Sequence, residues 1–81
     1  MAKRTKAQEA IRAALPADGR GSELISNVVA RAGGLDLLGW VREDPDGVVR
    51  IHAEGARGGP AALVEQVQAA AGTTDINVES V

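Results

Sequence analysis

Apolar and polar residues alternate from Ala10 to Leu15, with Ile11, Ala13 and Leu15 set against Arg12 and Ala14. That period of two predicts a strand with one buried face. Pro16, Asp18, Gly19 and Gly21 interrupt it, and Ser22 is placed to cap a helix. From Ser22 to Ala32 the spacing changes to that of a helix, with Leu24, Ile25, Val28, Val29 and Ala32 on one stripe and Glu23, Asn27 and Arg31 opposite. Gly33 and Gly34 are expected to end it. Leu35 to Glu43 reads as a second strand and Val48 to Glu54 as a third, in which Val49, Ile51 and Ala53 alternate with Arg50, His52 and Glu54. Asp44-Pro45-Asp46-Gly47 joins them as a tight hairpin, with Gly47 expected at positive φ.

Pro60 suits a first helical turn, and Leu63, Val64, Val67, Ala70 and Ala71 carry an apolar stripe up to Gly72. A short strand from Asp75 to Val81 follows. The order β-α-β-β-α-β predicts an α+β ferredoxin-like sandwich, a four-stranded antiparallel sheet with two helices on one face. Val28, Ile51 and Val67 are expected in its single core. The fold class alone assigns no function.

Composition narrows the possibilities. Eighty-one residues make one domain, since a chain of this size buries only roughly 60–65% of its unfolded surface. Residues 1–9 read as a basic tail bearing Lys3, Arg4 and Lys6, and 10–81 as the domain. Trp40 is the only aromatic residue, so Val, Leu, Ile and Ala build the core. The absence of cysteine removes thiolate chemistry and disulfide stabilisation, and no apolar run has the length of a signal core or a membrane span. A cytoplasmic location is the expectation. A net charge of −2 argues against a protein that coats nucleic acid.

The run Leu37-Leu38-Gly39-Trp40-Val41-Arg42-Glu43, followed by Asp46-Gly47-Val48 and Glu54-Gly55, resembles the middle of an acylphosphatase, and the resemblance extends over most of residues 10–81. It implies a phosphate-cradling loop after the first strand, an arginine at the start of the first helix that clamps the phosphate, and an asparagine that orients water. Counted without gaps from Gly39, those two positions fall on Ile25 and Glu43. Isoleucine supplies no cation, and a glutamate brings negative charge where a phosphate would bind. The resemblance therefore implies a catalytically silent domain that works as a small protein-interaction or anion-binding module. The alternative is an active acylphosphatase that uses displaced residues.

Gly19, Arg20, Gly21 and Ser22 are the candidates for holding a phosphate-like anion, through backbone donors at a helix start and the Arg20 guanidinium. The sheet face away from the helices is expected to carry Arg12, Trp40, Arg42, Arg50 and His52, residue types that suit a protein partner. An RNA platform would need aromatic residues on the third strand, which has none beyond the imidazole of His52. One histidine and no cysteine do not compose a transition-metal site, and the acidic residues of the hairpin lack calcium-loop spacing. No cofactor is implied.

Overall fold

In a computed structural model, residues 8–72 and 75–81 are described. The expected tail residues Lys3, Arg4 and Lys6 lie outside them. The elements are β1 (Gln8–Pro16), α1 (Gly21–Gly34), β2 (Leu38–Glu43), β3 (Val48–Ala56), α2 (Gly59–Ala71) and β4 (Asn77–Ser80). They form one antiparallel sheet in the order β2-β3-β1-β4, and the helices pack on one side of it. This is the ferredoxin-like topology that the alternation predicts.

Each strand contributes alternate residues to the covered face. Ile11, Ala13 and Leu15 of β1 are buried beside Val49, Ile51 and Ala53 of β3, and the helices close over them with Leu24, Val28, Leu63 and Val67. Val28, Ile51 and Val67 thus share the core as expected. At about 1.5–3 kcal/mol for each fully buried aliphatic side chain, this small set supplies most of the drive to fold. None of the described residues forms a helix long and apolar enough to cross a membrane.

Several boundaries differ from the sequence reading for local reasons. β1 starts at Gln8, because Gln8 and Glu9 pair with Ala56 and Gly55. It also continues through Pro16, and Ala17 donates its N–H to the Gly47 carbonyl at 2.9 Å. Asp18 and Gly19 both take positive φ, 51° and 77°, and the Arg20 N–H closes this turn on the Ala17 carbonyl at 2.8 Å. Arg20, not Ser22, is consequently the N-cap of α1, and Ser22 lies exposed in its first turn. At the other end α1 runs through Gly33 and Gly34. The left-handed residue that stops it is Asp36, φ 57°, and the Leu37 N–H returns to the Ala32 carbonyl at 3.0 Å. Strand β2 accordingly begins at Leu38, not Leu35.

The β2–β3 hairpin follows the expected chemistry. Gly47 has φ 80°, and its N–H bonds the Asp44 carbonyl at 2.9 Å while the Asp44 N–H bonds the Val48 carbonyl at 2.9 Å.

Candidate functional site

Glu43 ends β2 on the covered face of the sheet, and this position brings its side chain over the start of α1. Its carboxylate rests directly on Gly21. A methyl group added at Gly21 would overlap Glu43 Oε1 and stand 2.5 Å from Cδ, so the carboxylate keeps this place only while position 21 has no side chain, and the exposed glutamate would swing aside for an alanine. Gly19, Arg20, Gly21 and Ser22 come together here with Glu23 and Glu43 around an open hollow of about 370 Å³. The four candidate anion-binding residues are therefore assembled, but two carboxylates share the space with them.

Arg20 is directed elsewhere. Its Nε lies 3.2 Å and its Nη2 3.5 Å from the Glu23 carboxylate, and Nη1 donates to the Ala71 carbonyl at 3.3 Å. The guanidinium thus bridges the first turn of α1 to the last turn of α2, where a cation offsets the carbonyl end of the helix dipole. Ile25 is half-buried in α1, one turn after Gly21, and is not among the residues lining the hollow. Of the two positions inferred from the spacing, the structure brings Glu43 to the helix start and leaves Ile25 behind it.

On the open face, the strand register aligns Trp40, His52, Arg12 and Glu79 in one row across the sheet, and Arg42, Arg50, Ala14 and Asn77 in the next. All five interaction-face candidates lie in these two rows. Arg12, Trp40, Arg42 and Arg50 line a shallow hollow of about 560 Å³ with Asn77, Val78 and Glu79. The Trp40 and His52 rings stack with centroids 6.0 Å apart at 19°, and the Arg42 guanidinium carbon lies 4.6 Å from the Trp40 ring centroid. Arg12 Nε donates to His52 Nδ1 at 3.5 Å, which leaves His52 Nε2 to carry the proton donated to Glu54 Oε2 at 3.3 Å.

The hairpin carboxylates absorb much of the positive charge on this face. Arg42 Nε bonds Asp44 Oδ1 at 2.8 Å, and Arg50 bonds Asp44 Oδ2 at 2.6 Å and Asp46 Oδ2 at 3.1 Å. The Asp46 carboxyl is held below the usual carboxylate range, first by the Arg50 hydrogen bond and then by the Val48 N–H. Arg50 is pushed up in turn, by Asp46 and then Asp44. In the sequence the arginines belong to the face and the aspartates to the turn, and the structure joins them. Their two- to six-residue separations across a hairpin are the signal in the sequence for this pairing.

Gly39 is a second residue whose role the sequence alone left unexplained. Its φ is 145°, and an added Cβ would overlap the His52 carbonyl oxygen and lie 2.7 Å from its carbon. The glycine lets β2 run close against β3 at the point where Trp40 meets His52.

Comparison with known proteins agrees with this architecture. Over 100% of this chain and 88% of the other, the structure superposes with a TM-score of 0.84 on an acylphosphatase from Coxiella burnetii that is 23% identical in sequence. An acylphosphatase from Bacillus subtilis is 28% identical, with a TM-score of 0.78 over 90% of this chain and 84% of that one. No curated protein matches the chain in sequence. The model of the acylphosphatase family matches residues 26–81, the span that holds the Gly39-Trp40-Val41 strand and the hairpin after it, and the chain belongs to the acylphosphatase family.

Proposed function

We propose that this chain is a family member that does not hydrolyse acyl phosphates and that works by binding a protein partner through the open face of its sheet. The observation that carries this reading is the Glu43 carboxylate resting on Gly21. Acyl-phosphate hydrolysis needs a fixed cation and neutral donors around the phosphoryl oxygens. At the start of α1 the chain instead places its own Glu43 carboxylate against Gly21, with Glu23 beside it. A phosphate entering there would have to displace the first and approach the second. The nearest guanidinium, that of Arg20, is already held by Glu23 and the Ala71 carbonyl. The open face offers the residue types that anchor protein contacts, with Trp40 flanked by His52 and Arg42.

Hydrolysis of benzoyl phosphate by the purified protein tests this reading. The expected rate equals the spontaneous one. Turnover clearly above it that is lost in Arg20→Ala would instead establish an active enzyme using a displaced arginine. Ile25→Arg combined with Glu43→Asn is expected to create activity. A long side chain at position 25 leans back over the preceding turn toward Gly21, and the amide removes the blocking charge. Each change alone is expected to do far less, because losing one such transition-state donor costs about 10²–10³ in rate.

A further inference from the structure

The dipeptide Asp-Gly occurs twice in the sequence, at Asp18-Gly19 and at Asp46-Gly47. A glycine after an aspartate leaves its backbone nitrogen unshielded by a side chain, so that this nitrogen can attack the aspartate's own carboxyl group. The structure gives the two pairs opposite surroundings.

Both halves of the second pair are engaged. The Asp46 carboxylate accepts from the Val48 N–H at 3.1 Å and from Arg50 at 3.1 Å and 3.3 Å. These contacts favour its ionised form, in which the carboxyl carbon is a poor electrophile. The Gly47 N–H is occupied by the Asp44 carbonyl at 2.9 Å. At the first pair, among the described residues, neither the Asp18 carboxylate nor the Gly19 N–H makes a hydrogen bond or ion pair, and both residues are exposed.

The turn around Asp18 is also close to the geometry of ring closure. Positive φ at both Asp18 and Gly19, 51° and 77°, with the Arg20 N–H bonded to the Ala17 carbonyl at 2.8 Å, is the pattern of a type I′ turn. Turning over its middle peptide gives the type II′ form, which keeps the Ala17–Arg20 bond and brings ψ of Asp18 to about −120°. In an L-residue that value sets Cβ and the following nitrogen on the same side of the Cα–C bond, as a five-membered ring through Cγ requires. Among the described residues the middle peptide makes no hydrogen bond of its own, so none is broken when it turns.

We propose that Asp18 is a site of spontaneous conversion to isoaspartate and that Asp46 is protected from the same reaction. The Gly19 nitrogen attacks Asp18 Cγ and loses its proton, one carboxyl oxygen leaves as water, and a cyclic imide forms. Water then adds at the former backbone carbonyl of Asp18, and the bond from that carbon to the Gly19 nitrogen breaks. The chain now runs through Cβ and Cγ, with the old backbone carbonyl as a free carboxylate. The product has the mass of the parent and a main chain longer by one carbon. That extra atom lies in the turn that delivers Arg20 and Gly21 to the start of α1, so the change reshapes the hollow they share with Glu43. The reaction is independent of whether that hollow hydrolyses anything.

Incubation of the full chain at neutral pH and body temperature, followed by tryptic digestion, tests the proposal. Cleavage after arginine separates residues 13–20 from residues 43–50, and each isoaspartyl peptide elutes apart from its parent at equal mass. In the folded chain isoaspartate is expected to accumulate at position 18 at least about tenfold faster than at position 46, whose hydrogen bonds must break first. In the urea-unfolded chain, where those bonds are gone, the two rates should agree within about threefold. Arg50→Gln is expected to raise the rate at position 46 and leave that at position 18 unchanged. Equal rates at the two sites of the folded parent would overturn the proposal, as would a position 18 that stays unconverted while the unfolded chain converts.

Discussion

Replacing Gly39 by alanine is expected to be the most damaging single-methyl change among the described residues of the sheet. Two costs combine. An L-residue at φ 145° sits in a region that carries about 1–3 kcal/mol of strain. In addition, the new Cβ would overlap the His52 carbonyl oxygen and lie 3.1 Å from Ala53 Cα. Both neighbours are backbone atoms of β3, which is paired with β1 on its other side and has little freedom to withdraw. β2 must retreat instead, with the loss of one or two ladder hydrogen bonds at about 1 kcal/mol each. The sum is about 2–5 kcal/mol, against a total stability of about 4–12 kcal/mol for a chain of this length at the usual value per residue. At about 4–8 °C per kcal/mol for a small domain, the melting temperature measured by circular dichroism should fall by at least about 8 °C. Gly33→Ala is the control, because its added methyl meets nothing within 4 Å and lies inside α1. That change should raise stability by about 0.4–1 kcal/mol. If Gly39→Ala melted within two or three degrees of the parent (roughly 0.5 kcal/mol), the argument from close approach would be refuted.

Two further outcomes bear on the core and the hairpin. Val67, 1% accessible between α2 and the sheet, should cost about 1–3 kcal/mol on truncation to alanine, read as a lower urea midpoint with an unchanged slope. Asp46 has its carboxyl lowered from 3.8 chiefly by Arg50, so its contribution is present above the unfolded-state value and is lost as pH falls through the lower folded one. Thermal melts of the parent and Asp46→Asn should therefore differ by a constant amount at neutral and mildly acidic pH, and converge below about pH 4. A difference that persists unchanged to pH 2 would assign the effect to something other than the ion pair.

The residues differ in how openly they declared their places. Val28, Ile51 and Val67 were legible because burial follows period, and Gly47 because Asp-Pro-Asp-Gly admits few backbone paths. The end of α1 was not, since Gly33 and Gly34 satisfy a helix stop on composition while the left-handed turn falls at Asp36, where Leu37 enters the core. Spacing pointed to position 43 as chemically important. That its carboxylate lies on Gly21 depends on how α1 crosses the sheet, a relation between elements far apart in the chain. The likeness of the region to an enzyme was therefore readable, whereas the approach of the Glu43 side chain to Gly21 was visible only in three dimensions.

The sharing of Asp44 and Asp46 between Arg42 and Arg50 has a consequence for the speed of encounter. Because these charges are closed off in short loops of ion pairs, the open face projects little long-range field into solvent. A partner docking there would be found by orientational search, at about 10⁵–10⁶ M⁻¹s⁻¹, and added salt would leave that association rate nearly unchanged.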